Sequence, residues 1–441
     1  MMESLHFNVH RASRTERLAD ELIARLDAQR PDNPLAPQTV IVPHAGMRRW
    51  LLQTIARRRE RARGAAANID TPLPWQWLQR TAKNVLGDAA LVGGDYRTDA
   101  LRWHIYHALA DVHAATIDQY LDGDASERRR FLLAARLADV FTQYLVYRPD
   151  MILDWETGAD AHDWQAQLWR RVRSRIRTQH RAQRRGVLAN ELHARGDGET
   201  EPLYVFGVSQ LPDDVLASLR AVAAHRDVHV YFPDPCREHW EELRRLRSIL
   251  LRDDAESLYF EIGHPLLASL GRVGQDFSLA LDDGGEQRDP LDDRDAPTTA
   301  VSLLDALQTS IRLLEPDHVH IALASRSRTD ASVRVHACHT RLRELEVLND
   351  QLLGFLADDT TLQPRDIVVM APDIAAYATY LPAIFGKPAH YDGAPSHIPW
   401  HLADVPLAHT HPLFDGFTKV LDLGESRFRA ADVVDLLAVP A

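Results

Sequence analysis

At 441 residues, 45% hydrophobic and 26% charged, the chain has an ordinary globular composition and is too long for one core, so two to four domains are expected. No apolar run approaches the ~18 residues that cross a bilayer. Met1–His6 lacks the basic and apolar regions of a signal peptide, and two cysteines, Cys236 and Cys338, exclude a disulfide framework or a Cys-rich zinc site, so a cytoplasmic protein is expected. The net charge of −12 argues against nonspecific nucleic-acid binding over the whole surface. Basic charge is nearly all arginine, with lysine only at Lys83, Lys387 and Lys419. It clusters from Arg57 to Arg63 and from Arg170 to Arg185, while acid concentrates between Asp282 and Asp295, so a negative total can hide a positive channel.

Leu5–His10 alternates as a strand, and Ser13 with Glu16 has capping-box spacing ahead of a helix carrying Leu18, Leu22, Ile23 and Leu26 on one face. The loop between them, His10–Arg14, is where a P-loop protein carries its glycine-rich phosphate cradle, and it holds neither Gly nor Lys. The one Gly-Lys pair, Gly386-Lys387, precedes Pro388 and lacks the upstream glycine, so ATP hydrolysis is not expected. Thr39–Pro43 reads as a second buried strand, followed by a turn at His44–Gly46 and a helix opening at Met47. A strand running through a glycine turn into a helix N-terminus is a natural holder of phosphate or nucleic-acid backbone. After a basic loop, Asn68–Pro74 feeds another helix at Trp75.

From Pro74 to Asn190 the pattern is almost entirely helical, with Trp155, Trp164 and Trp169 read as helix-packing core beside an arginine-rich helix. Leu203–Ser209 and Val228–Phe232 flank a helix over Asp214–Ala224, a parallel βαβ unit that joins the sheet of the first strands and makes the helical stretch an insertion. Residues 281–300 read as a flexible acidic loop. A second α/β unit is expected from Ala331, with strands Val333–Cys338 and Asp366–Met370, a helix over Leu342–Leu356, another from Asp373 to Phe385 and a last one over Ala430–Leu437. The stop at Ala441 falls before a second sheet is complete, which reads as an N-terminal fragment. The expected organisation is residues 1–78 with 200–330 as one domain, 79–199 as the insertion, and 331–441 as the start of a second domain.

Twenty-two histidines raise the question of a metal. His336-Ala337-Cys338-His339 is the densest cluster, but strand alternation splits its side chains between two faces. His104 and His107 lack a carboxylate pair, and His409 and His411 lack evident partners. No His-Glu-x-x-His, Gly-x-Ser-x-Gly or Cys/His nucleophile arrangement is present, so neither a catalytic centre nor a metal site is expected.

Several collinear blocks resemble the RecC family, the gamma chains of exodeoxyribonuclease V (the RecBCD helicase–nuclease). They are Gly46-Met47 with Trp50, Asn68-Ile69-Asp70 with Pro72-Leu73-Pro74, Gln143–Asp150, Asp154–Gly158, Asp234-Pro235-Cys236, Pro265–Ser269, Glu344–Leu348 and Pro364–Met370. The resemblance implies an α/β fold of degenerate superfamily-1 helicase-like (P-loop/RecA-like) parallel-sheet domains with a large helical insertion. It implies a non-catalytic subunit that binds duplex DNA ends, guides the 3′-ended single strand and scans it for Chi in double-strand-break repair. Its partners would be RecB-like and RecD-like helicase subunits carrying the ATP and Mg²⁺, with no cofactor in this chain and no membrane. Aligned through the blocks, the strand-reading surface falls on Pro43, Ala45, Arg49, Leu73, Gln79, Asp139, Val140, Thr142 and Arg148. Leu73, Asp139 and Arg148 keep the family's residue type, while Pro43, Ala45, Arg49, Gln79 and Thr142 depart from it, so a sequence preference of its own is implied.

The residues themselves fit that reading, because a single-strand channel needs cations for phosphates and flat or apolar surfaces for bases. Arg49 and Arg148 supply the first; Leu73 with Trp75 or Trp77 supplies the second. Trp50 and Tyr147 are expected in the core. Two other readings stand beside this one, an active superfamily-1 DNA-dependent ATPase and a protein-interaction scaffold.

Overall fold

Leu203–Phe206 and Val228–Phe232 are nearly continuous apolar runs, the pattern of strands at the centre of a parallel sheet covered on both faces. The computed structural model describes residues 6–31, 33, 35–58, 65–87, 94–123, 126–236, 240, 264–282, 287–290, 302–315, 330–386, 398–403, 412–423 and 429–438. They divide into two units, Met1–Asp330 and Ala331–Ala441. The chain order of the first unit is β1 (Phe7–Ala12), α1 (Thr15–Ala28), β2 (Gln38–Ile41), α2 (Ala45–Arg58), β3 (Ile69–Asp70) and α3 (Pro74–Leu86). Then follow α4 (Thr98–Ala108), α5 (Ala115–Leu121), α6 (Ser126–Tyr147), α7 (Pro149–Thr157), α8 (Trp164–Arg175) and α9 (Arg181–Arg195). The sheet resumes with β4 (Leu203–Phe206), α10 (Asp213–Val222) and β5 (Val228–Pro233), and α11 (Pro265–Leu270), α12 (Arg272–Asp282), β6 (Gln287–Pro290) and α13 (Leu303–Leu313) complete the unit.

The six strands lie in the order β3-β2-β4-β5-β1-β6, all pairs parallel. Alternation sends Val40, Val42, Tyr204, Phe206 and Tyr231 toward α1 and α2, with Leu18, Leu22, Ile23 and Leu26 of α1 buried on that side. The opposite face carries Phe7, Val9, Ile41, Val205, Val230 and Phe232 against Trp77 and Leu78 of α3, Leu188 and Leu192 of α9, and Phe277 and Leu281 of α12. Helices α4 to α8 build their own core around Phe141, Trp155 and Trp169. Within it the Glu156 carboxylate accepts from His180 Nε2 at 2.6 Å, the Trp169 indole at 3.1 Å and Gln183 Nε2 at 2.9 Å. Burial pushes that carboxyl up, but the His180, Trp169 and Arg173 contacts outweigh it and hold it below its ordinary range.

Three expectations are corrected. The first helix starts at Thr15 with Arg14, not Ser13, at the N-cap position, because β1 continues through Ala12 and leaves only a short bend. The expected acidic loop contains β6, which pairs with β1 at Asn8–Arg11. In the second unit, helices α14 (Arg341–Asp358), α15 (Ala375–Ala378), α16 (Leu381–Phe385), α17 (Pro412–Leu423) and α18 (Ala430–Leu437) form, but segments 333–338 and 366–370 make no strand among the described residues. Val335, Val368 and Met370 are exposed. A strand needs a neighbour to accept its backbone hydrogen bonds, so β-forming sequence alone did not make one. Residues 59–64, Lys387, His409 and His411 lie outside the described residues.

Candidate nucleic-acid interface

Open α/β sheets bind ligands at the carboxyl ends of strands whose connections leave for opposite faces. Here β1 runs into α1 on one face and β5 leads toward α12 on the other, so a crevice is expected between Ala12 and Asp234. It is filled. Arg11 Nη1 donates to Asp234 Oδ2 at 2.8 Å and to Ser278 Oγ at 2.7 Å, and its guanidinium lies 5.2 Å from the Phe232 ring. Asp234 Oδ1 accepts from the Trp240 indole at 3.0 Å and from the Cys236 amide at 3.3 Å, while the Asp234 amide donates to Ala12 O. Both charged side chains are buried. A nucleotide's phosphates would have to displace a carboxylate from a buried guanidinium, with no glycine or lysine to receive them. These residues do not fit ATP.

The second end of interest is that of β2 and β3. The Val42 amide donates to Pro72 O at 3.1 Å and Arg48 Nε to Thr71 O at 2.9 Å, which holds Pro43 beside the segment leading to Leu73. The His44 ring accepts from the Met47 amide at 3.2 Å and so caps α2, which starts at Ala45 and not at Met47. Gly46 permits this: a Cβ there would sit 3.1 Å from the ring. Ala45 and Arg49, one turn apart, share an exposed face of the helix opening, where the dipole and the guanidinium both favour an anion. Leu51, Thr54 and Ile55 anchor the other face, and Trp50 stacks on Phe206 at 6.1 Å, as expected of core.

Leu73 precedes α3, whose first position is Pro74. Trp77 is buried under the sheet, so of these two Trp75 is the one that offers a ring to solvent. Trp75 and Gln79 line an open cleft with Leu78, Leu188 and Arg181. Arg181 lies 4.5 Å over the Trp75 ring and is held by Asp214 through Nε at 2.5 Å and Nη2 at 2.6 Å. The Glu156 network fixes His180, the residue before it, and thereby the start of α9. Arg185, also in this wall, pairs with Asp213 at 3.4 Å and with Asp150 at 3.8 Å, two residues beyond Arg148. Arg184 has a buried Nη1 with no acceptor among the described residues.

Exposed Arg148 is the entry residue of α7, and Asp139, Val140 and Thr142 lie roughly two turns back along α6. Asp139 is exposed and Val140 half-buried. The Thr142 hydroxyl donates to Ala138 O at 2.7 Å and meets Thr98 Oγ1 at 3.4 Å, so it is engaged within the helices. The structure thus gathers Pro43, Ala45, Arg49 and Leu73 at one strand end and Gln79 in the adjoining cleft. It links Arg148 to that cleft through Asp150 and Arg185.

Tyr147 is 57% exposed, contrary to the core position expected of it, because it sits on the outer side of α6's last turn. Sequence reading missed Arg181 as an individual residue. Its signal lay in the Arg170–Arg185 run, most of which serves structure: Arg170 donates to Trp155 O and Ala159 O, and Arg173 to Tyr96, Ile176 O and Thr178 O.

The family model described as "RecC, N-terminal domain" matches residues 7–314. The chain is 31% identical to "RecBCD enzyme subunit RecC" of Escherichia coli (strain K12), over 94% of this chain and 41% of that protein. It is 32% identical to the protein of that name from Mycolicibacterium smegmatis, over 97% and 40%. For the one from Haemophilus influenzae the figures are 28%, 99% and 44%. The chain therefore spans about two fifths of the length of these curated relatives.

Proposed function

The chain belongs to the RecC family, and from that premise we propose that it is a non-catalytic DNA-binding portion of a RecBCD-type helicase–nuclease. It works at duplex ends in double-strand-break repair, with RecB-like and RecD-like subunits carrying ATP and Mg²⁺. The sheet unit is a helicase-like domain without a fuel site. The observation that carries this reading is the Arg11–Asp234 pair in the crevice where nucleotide phosphates would sit. The strand end at β2 and β3, by contrast, presents Arg49, Leu73 and the Trp75–Arg181 cleft to solvent.

In this reading the 3′-ended strand passes Pro43, Ala45 and Arg49, stacks a base near Trp75 and Leu73, and meets Arg148 on the helical layer. Phosphate contacts position the strand and base contacts carry sequence preference. Pro43 and Ala45 offer no side-chain donors or acceptors to base edges, so discrimination falls to Gln79 and to stacking. The test is equilibrium binding of a single-stranded oligonucleotide without ATP across a salt series. Binding that weakens steeply with salt is expected, and absence of binding, or DNA-stimulated ATP turnover by this chain, overturns the proposal.

A further inference from the structure

Away from the strand end, helices α4 and α6 carry an exposed aromatic–arginine surface that the proposed function does not use. Trp103 is 53% exposed and Leu132 50%. Trp103 packs against Phe131 at 5.4 Å and edge-on to Tyr106 at 6.0 Å. Arg102 lies 5.4 Å over Phe131, and Arg130 lies 5.7 Å over Tyr106. Glu127 accepts from the Tyr106 hydroxyl and pairs with Arg130 at 3.6 Å. Trp103 is thus held in place before any partner arrives, which lowers the entropy cost of binding.

We propose that this surface docks a protein partner presenting an apolar pocket rimmed by carboxylates; the inference rests on the subunit reading above. Trp103 and Leu132 are apolar anchors, and Trp and Arg are the residue types that dominate interface energetics. The rim is cationic: Arg102, Arg128 and Arg130 stand beside two acids, Glu127 and Asp99, and Asp99 already pairs with Arg97 at 3.2 Å, in a chain whose net charge is −12. That charge disfavours a second copy of the same patch, and it calls for acid opposite. A nucleic-acid strand fits less well. The Phe131 and Tyr106 rings already carry guanidinium groups on their faces, Leu132 gives bases nothing flat to stack on, and Glu127 repels phosphate.

The test is co-purification of the protein with its co-expressed helicase subunits. Trp103→Ala with Leu132→Glu is expected to lower recovery of at least one subunit tenfold or more while oligonucleotide affinity stays within twofold. Trp103→Phe retains assembly. Should the double variant not fold, Leu132→Cys carrying a short thiol-reactive crosslinker replaces it, and capture of a helicase subunit by that thiol is the expected result. Unchanged assembly with a tenfold loss of single-strand affinity would make the surface a nucleic-acid contact. Unchanged assembly and affinity, or no crosslink, would make it plain solvent face. Either result overturns the inference, and both leave strand binding by the unmodified protein as the separate check on the subunit reading.

Discussion

Arg181 lies over the Trp75 ring at 4.5 Å while Asp214 accepts from its Nε and Nη2, so one face of the indole is covered and the half-exposed ring is fixed in the wall of the cleft. A ring held this way offers a base a rigid stacking partner. Trp75→Ala is expected to weaken single-strand binding by ~1–3 kcal/mol, with Trp75→Phe recovering most of it. Fluorescence anisotropy with a labelled oligonucleotide measures both.

Arg49 and Arg148 are exposed at a helix opening and a helix junction. If each meets a phosphate, replacing either with alanine lowers the slope of log affinity against log salt by ~0.7. Arg175, paired with Asp111 at 3.3 Å, is the control, and its alanine variant leaves the slope unchanged.

Arg11 and Asp234 are both buried and mutually neutralising. Arg11→Met strands a carboxylate and is expected to cost ~3–5 kcal/mol in denaturant titration of the protein. Adding Asp234→Asn removes the stranded charge while keeping an acceptor for the Trp240 indole, so most of the loss returns. Neither variant gains affinity for ATP in calorimetry.

The pH dependence follows from His229, which faces His10 at 3.1 Å and stacks on Tyr204. Burial, then the charge of Arg25, then His10 lower its pKa to about 4 from 6.5. The unfolded chain therefore binds the proton more readily. Stability is complete above pH 6.5 and falls as pH drops toward 4, by at most ~3 kcal/mol from this group. His229→Gln flattens that part of the profile in thermal melts run from pH 7.5 to 5.

The sheet was legible because its strands carry unbroken apolar runs such as Leu203–Phe206, and the βαβ spacing fixed their sense. Strand β6 was not, because Gln287–Pro290 has neither an apolar run nor alternation, yet it pairs along β1. Segments 333–338 and 366–370 show the converse, β-forming sequence that makes no strand among the described residues. At the candidate site, the missing glycine and lysine after β1 were plain in the sequence. What replaced them was not, since Arg11, Asp234 and Ser278 are separated by up to 267 positions and meet only in the fold. Arg181 was hidden for a related reason. A run of arginines reads as one basic patch, and only their partners tell which are structural.

The central claim is that a 3′-ended strand passes along the carboxyl ends of β2 and β3. Photo-crosslinking from a strand carrying 4-thiothymidine, followed by mass-spectrometric mapping without ATP, tests it most directly. Crosslinks to the segments around Arg49, Leu73–Gln79 and Arg148 are the predicted result. Efficient crosslinking of the protein that spares all three segments would contradict it.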